Sequence, residues 1–510
     1  MKALTSVKKI IALLTVFILI LTFISCGSNE PPENGAEEET TAEIPLPGGS
    51  ISIPYTTGDS LNPFFMKTVL NSSLISLVYR SLYKINTSFM PENDLAASEN
   101  LTGLTLKVYL ADDLFFSDGT ALTAADVVYS FEKAKDSYLY ENTLSNIVSC
   151  KEGEGNSIIF TLSQADVNAL SSLIFPVVRQ NTAETEDLLP TGNGCYQFSQ
   201  DGIRLTLKAN LKVSGEIPHV GTVRLTDVKG NTTPENLVST GEIDFYYSDL
   251  SDSDITGVNS LVTNVYLNSL VYLGVNHDNV NLVLASFRQA ISCAINRPGI
   301  VENAYRGFAR STVSPFNISW EKYSSSPSAA AISLGEDNVK ASSLLSARGF
   351  GANGQEMNFT LLCNEGSSFM RNTASLIAEA LAEHNINITV KLLNSDSLRE
   401  AVEAGNFDLY LAEIKVSPTM DLSQFFSAYG EASYGINFEN CISDDAYADY
   451  VSGDGTIDEF IDAFSQEMPF IPILYRNGRL CYTRRLSSEV VAAEGNIFGN
   501  IPEWVFAESN

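Results

Sequence analysis

The chain has 510 residues, with 31 Lys+Arg against 61 Asp+Glu and a net charge of −30. That balance excludes a nucleic-acid binder that neutralises phosphates with clustered Lys and Arg, and a protein held on anionic lipid by a basic patch. Apolar residues make up 44% and charged residues 18%, which fits a large core in two or three domains, and seven Cys are too sparse for a disulfide scaffold.

Residues 1–25 read as a signal peptide. Lys2, Lys8 and Lys9 form a basic start, and Ile10 to Ser25 is an uncharged, mostly apolar run. A spanning helix needs about 20 apolar residues, so this run is short for one and suits a secretory core. No later segment approaches it. Ser25-Cys26-Gly27 resembles a bacterial lipoprotein signal, although Phe23 stands where Leu is usual. The resemblance implies lipidation of Cys26. Residues 26–47 then carry six Glu, four Pro and no basic residue, a composition that cannot order itself and suits a solvated tether.

The next part of the chain reads as β-rich. Leu104, Leu106, Val108 and Leu110 alternate as in a half-buried strand. Asp118-Gly119 marks a turn. Thr123 and Asp126 make a shortened capping box for a helix that carries Val127, Val128, Phe131 and Ala134 on one face. Ser157–Leu162 and Ile203–Lys208 are further strands.

A different order starts near residue 270. Ser286–Arg297 places Phe287, Ala290, Ile291, Ala294 and Ile295 on one helical face. Cys293 lies there too, as a free thiol. Pro298 suits the first turn of a following helix and Gly307 its end. Strands at Asn358–Cys363, Ile388–Leu393 and Asp408–Ile414 alternate with helices at Phe369–His384 and Ser397–Ala404. That alternation implies right-handed crossovers and a parallel sheet, whose ligands bind beyond the carboxyl ends of the strands. Pro469–Tyr475 is a short apolar strand after a helix at Glu459–Gln466. The six Cys beyond Cys26 are not closely spaced, so no obligatory disulfide is expected.

Motifs for catalysis are missing. There is no G-x-S-x-G, H-E-x-x-H, C-x-x-C or P-loop. Gly192-Asn193-Gly194 reads as a turn. His219, His277 and His384 are dispersed and expected at the surface or the core edge, which makes a metal centre a poor fit. No cofactor is expected, and binding fits better than chemistry.

Four segments, in order, carry a family resemblance. Leu104–Phe131 resembles the "F-x-DG-x-x-x-TA-x-DV-x-x-S" segment of family 5 extracellular solute-binding proteins, the peptide, dipeptide and nickel receptors of ABC importers. Pro190–Phe198 resembles the family's G-T-G-P-Y-x-F turn, with Asn193 and Cys195 replacing Thr and Pro. Tyr272–Asn276 with Phe287–Arg297 resembles its "V-R-Q-A-I-x-x-A-I-D-R" helix, with Asn296 in place of Asp. Val339–Phe350 resembles "A-x-x-L-L-x-x-A-G-y". The resemblance implies an α/β, two-lobe periplasmic-binding-protein-like fold of type II with an extra β-rich subdomain. Lobe I would be 48–270 plus 476–510, with the subdomain at about 86–189, and lobe II 271–475. The chain would cross between lobes near Val271–Asn276 and Ile471–Tyr475.

Peptide-binding members carry G-W-x-x-D after the strand that matches Asp408–Ile414, and its Asp holds the peptide amino group. Here the Trp is absent, Ser417 stands near the place of the Asp, and Asp421 comes four residues later. Glu413, Lys415 and Asp421 are therefore the candidate polar site. Tyr55 and Thr56 follow the first strand, and Asn193 sits in the turn motif; they are further candidates. The reading is a lipid-anchored, monomeric receptor on the outer face of a bacterial membrane. It delivers a small solute, an oligopeptide or peptide-like compound, to an ABC permease and is not an enzyme. The alternatives are a receptor for chelated nickel or another small solute, and a surface hydrolase or signalling lipoprotein on the same fold.

Overall fold

The computed structural model describes residues 47–506 apart from 232, 252–254, 256, 332–335, 352–353, 429 and 440. The signal segment, Cys26 and the acidic tether lie outside the described residues. No described helix is long and apolar enough to cross a membrane.

The β-rich part forms two four-stranded sheets and a two-stranded ribbon of β2 (Tyr83–Ile85) and β3 (Pro91–Asn93). In the first, β1 (Gly48–Tyr55) runs parallel to β10 (Val220–Asp227), which continues to β9 (Arg204–Ala209) and β8 (Tyr196–Asp201). The second is antiparallel, with β4 (Ala96–Thr102), β5 (Thr105–Leu110), β7 (Ser157–Leu162) and β6 (Ile147–Glu152) side by side. Helix α1 (Ala124–Lys135) starts at the expected capping box, where the Asp126 carboxylate accepts the Thr123 N–H at 2.9 Å. Its Phe131 meets the Phe160 and Phe175 rings edge-on, both at 6.0 Å.

The second half builds one seven-stranded sheet in the order β11 (Phe245–Ser248), β17 (Ile471–Tyr482), β12 (Leu261–Val275), β16 (Leu409–Lys415), β14 (Met357–Asn364), β15 (Ile386–Leu393), with β13 (Ala309–Ser311) on β17. β14, β15 and β16 are parallel, joined by α4 (Ser368–Ala382) and α5 (Ser395–Glu403). The sheet as a whole is mixed, because β12 and β17 run antiparallel to their neighbours. Both are long. β17 passes Tyr475, where the apolar run stops, and continues through Arg476-Asn477-Gly478-Arg479. Gly478 permits this: a Cβ there would stand 2.9 Å from the Tyr247 ring and 3.0 Å from the Ser248 carbonyl.

Three large apolar cores result among the described residues, beside a small cluster of Val238, Ile243 and Cys481. The first draws on Ile51 to Leu267 and Leu480 to Trp504. The second takes one face of the large sheet, with Val271, Leu273 and Leu474. The third takes the other face, with Leu270, Tyr272 and Tyr475, and also holds Ile85 and Phe89. Core membership changes between Leu267 and Leu270 on β12 and between Tyr475 and Leu480 on β17. On β12 this is a few residues before the expected crossing, and on β17 a few after. The changeover is where buried polar residues gather: Asn268, Ser269, Arg476, Asn477 and Arg479.

Helices α2 (Ala285–Ala294) and α3 (Arg297–Asn303) show what the arginines of the Phe287–Arg297 segment do. Arg288 donates to the carbonyls of Met468, Glu467, Leu282 and Val283 at 2.7–2.9 Å. Asn296 caps α3 by accepting the Gly299 N–H at 2.8 Å, the task an Asp would perform there. The six described Cys are free thiols. His219 is exposed, but His277 and His384 are buried, contrary to expectation. His277 accepts the Asn437 N–H on Nδ1 and sits 3.0 Å from the Pro469 carbonyl through Nε2. Burial, then the Arg288 charge, pulls its pKa down to about 4 and keeps it neutral.

Candidate functional site

The carboxyl ends of β14 and β16 open onto the changeover between the cores. β14 touches β16 only at Leu361–Leu409 and Leu362–Tyr410. Beyond Tyr410, no strand lies beside this edge of β16 among the described residues. The Val416 N–H donates to the Asn268 carbonyl at 2.8 Å. In an antiparallel ladder, alternate residues turn to alternate sides. The main-chain groups of Glu413 and Lys415 therefore point away from β12, along the open edge, whereas Leu411 is 1% exposed beside the end of β14. Glu413 is exposed as a residue although its side chain keeps only 25% exposure, so much of the exposed surface is main chain.

Asn268 fixes the loop that follows. Its Nδ2 donates to the carbonyls of Val416 (3.2 Å) and Ser417 (3.0 Å), and its Oδ1 accepts from Asn317 Nδ2 at 3.0 Å. The Asn268 N–H donates to Glu494 Oε2 at 2.7 Å, and Glu494 Oε1 pairs with Lys415 at 3.0 Å. The Lys415 side chain is 71% exposed, so this pair adds little stability. The nearby Glu494 charge raises the Lys415 pKa. Glu413 accepts from Arg476 Nε at 2.5 Å, and Arg476 Nη1 donates to the Asp249 carbonyl at 2.6 Å. Burial alone would lower the Arg476 pKa, but Glu413 outweighs it.

Asp421 lies where the β-rich part meets the second half. It accepts from the Tyr447 hydroxyl at 2.9 Å and from Ser423 N–H at 2.8 Å. With Ser417, Thr419 and Tyr447 it faces Asp166 and Asn168 across a pocket of about 420 Å³ including its open mouth. Lys322 donates to Asn168 Oδ1 at 2.7 Å, and the Val167 N–H donates to the Val451 carbonyl at 3.1 Å, so this seam is stapled. Burial chiefly, with Asp421 adding, pushes Asp166 up to about 6, against the pull of the Asn168 N–H and Lys322. An unfolded Asp ionises near 3.8. Between that value and 6 the folded chain keeps a proton that the unfolded chain has lost, so stability falls as pH rises through the window. Asp166→Asn should therefore be more stable than the parent by about 1 kcal/mol above pH 6, allowing for its partial exposure. The gain should vanish near pH 4. Urea unfolding at pH 4 and 7.5 measures both; equal stability at pH 7.5 would refute the cost of ionising Asp166 in the folded chain.

The other expected residues stand apart. Thr56 Oγ1 accepts the Gly58 N–H at 3.1 Å, and its own N–H goes to Asn71 at 2.9 Å. Tyr55 ends β1, and burial with the Asp227 charge raises its pKa. Asn193 is 2% exposed and accepts the Arg80 N–H at 2.7 Å, which gives its side chain a structural task. Its glycine neighbours allow close packing: a Cβ on Gly192 would stand 2.2 Å from the Val78 carbonyl. No hydrogen bond or ion pair links these three to Glu413, Lys415 or Asp421 among the described residues. Sequence reasoning missed Asn268, Arg476, Glu494 and Asp166. Only Arg476 carried a local signal, a charge at the end of an apolar strand. No group of three or more His, Cys, Asp or Glu that could hold a metal exists among the described residues.

Long paired strands that pass from one core to the other, beside a polar site beyond parallel strand ends, define a two-lobe binding protein. The model for bacterial extracellular solute-binding proteins, family 5 middle, matches residues 90–435, and the chain belongs to that family. The oligopeptide-binding protein AppA of Bacillus subtilis (strain 168) is 22% identical over 98% of this chain and 99% of its own. The glutathione-binding protein GsiB of Escherichia coli (strain K12) is 24% identical over 68% of this chain and 69% of its own. A crystal structure of an ABC transporter substrate-binding protein from Sinorhizobium meliloti shares the fold, with a TM-score of 0.74, 17% identity, and coverage of 90% of this chain and 100% of that one.

Proposed function

We propose that this chain is a lipid-anchored receptor that captures an oligopeptide between its lobes and passes it to an ABC import permease. The open main-chain edge of β16 carries the reading. An extended peptide can add to such an edge through main-chain hydrogen bonds, which are blind to side-chain identity. Relatives named for an oligopeptide and for glutathione support the solute class. The division into lobe I (48–270 and 476–510) and lobe II (271–475) is supported by the change of core along β12 and β17. Anchoring through Cys26 is supported by the signal-like start and the acidic segment after it. Glu413, Lys415 and Asp421 would frame the bound peptide, with Asp421 near its amino end.

Hydrogen exchange tests the edge directly. Saturation with a peptide pool should slow exchange of the Glu413 and Lys415 amides at least tenfold and leave Ala412 and Ile414, already turned to β12, much less changed. Peptide binding without protection of these two amides would overturn the edge reading. Absence of any peptide binding would overturn the solute class.

A further inference from the structure

Arg310 is a cation without a counter-ion. It lies on β13, opposite Tyr475 of β17, and its guanidinium rests 3.9 Å from the centroid of the Tyr266 ring. Nη2 donates to Asn317 Oδ1 at 2.9 Å. Nε is buried and has no hydrogen-bond partner, and no carboxylate lies within ion-pair distance among the described residues. Burial pulls its pKa down to about 10, so the group is ionised at neutral pH and its charge is poorly solvated. Such a group is costly unless something compensates it.

The location gives this meaning. Tyr266 sits between Val265 and Leu267 of the first core, whereas Arg310 is the cross-strand partner of Tyr475 in the third. The stack therefore crosses the seam between the lobes. Tyr266 keeps 39% exposure, so the seam is open beside it. The cross-strand partner of Tyr266 is Asn477, whose buried Oδ1 also lacks a partner. Arg310 is further tied to the solute edge, since Asn317 holds Asn268 and Asn268 holds the Val416 and Ser417 carbonyls.

We propose that Arg310, backed by the Tyr266 ring, receives a carboxylate of the solute. The ring sets the plane of the guanidinium, so its free N–H groups can form a charge-assisted fork on a carboxylate. The inference rests on the interlobe seam being the solute site, and it narrows the solute to an anionic one. A peptide can supply the carboxylate from its C-terminus or from an acidic side chain.

The full chain and its Arg310→Gln and Arg310→Lys variants would be titrated by calorimetry with trialanine, trialanine amide, Ala-Glu-Ala amide and glutarate. The parent should prefer the free acid over the amide at least tenfold, and Arg310→Gln should reduce that ratio to near one. Arg310→Lys keeps a cation on the ring but not the fork, so it should retain only part of the preference; it decides the matter if Arg310→Gln does not fold. Rescue by Ala-Glu-Ala amide would assign the carboxylate to a side chain, and a preference confined to trialanine would assign it to the C-terminus. An acid-to-amide ratio that is equal in parent and variants would overturn the inference and leave the peptide reading intact. If no peptide binds but glutarate binds the parent and not Arg310→Gln, the carboxylate site stands and the peptide reading falls. If glutarate fails as well, both fall.

Discussion

Replacing Arg297 with Met should lower the unfolding free energy by about 3 kcal/mol, the scale for removing a buried donor from two carbonyls and a hydroxyl that lose their partner. Arg297 is 1% exposed. Its Nε and Nη2 both donate to the Pro472 carbonyl, at 3.0 and 2.8 Å, while Nη1 and Nη2 reach the Ser292 carbonyl and hydroxyl at 2.7 and 2.8 Å. One guanidinium thus ties the end of α2 to the start of β17. Methionine fills much of the volume but leaves those acceptors buried and unpaired. Denaturant unfolding measures the loss. A change below about 1 kcal/mol would show that the carbonyls find other donors, and the staple would be incidental.

Asn268→Ala should weaken solute binding more than tenfold while costing about 2 kcal/mol of stability, the scale for several buried acceptors left without their donor. The side chain is 2% exposed and holds two successive carbonyls at the mouth of the open edge. Without it the Val416–Met420 loop loses its fixed register against β12. Asn268→Asp should be worse, because a carboxylate would face the Val416 and Ser417 carbonyls where a donor is required. Peptide titration of both variants tests this. Affinity within threefold of the parent in Asn268→Ala would show that the loop is held by its own ladder bond from Val416.

The elements that sequence periodicity revealed are those whose burial repeats locally. The α1 helix with its Thr123–Asp126 box, the α2 face of Phe287, Ala290 and Ile291, and the β14–α4–β15–α5–β16 alternation all carry their pattern within a few turns or one strand. β17 was legible only as far as Tyr475. Its continuation holds Arg476, Asn477, Gly478 and Arg479, a string that reads locally as a turn. It becomes a strand because β11 and β12 supply the ladder, Glu413 neutralises Arg476, and Gly478 clears Tyr247. Those partners stand far away in the chain, so no local window contains them.

The site divides along the same line. Topology placed it after the third parallel strand, and the resemblance of that stretch to the family's G-W-x-x-D segment named Glu413, Lys415 and Asp421. Their partners come from other segments: Asn268 from β12, Asp166 from the β-rich part, Arg476 from β17, Glu494 from the C-terminal region and Arg310 from β13. Composition, apolar spacing and the four family-like segments determined the class of fold, the order of its elements and an acidic, core-rich protein. Tertiary structure decided which edge of β16 stays open, which charges are cancelled by a carboxylate, as Arg476 is by Glu413, and which, Arg310 among them, are not. Apolar burial is encoded by short-range periodicity, whereas charge compensation depends on which distant groups the closed fold brings within hydrogen-bond reach.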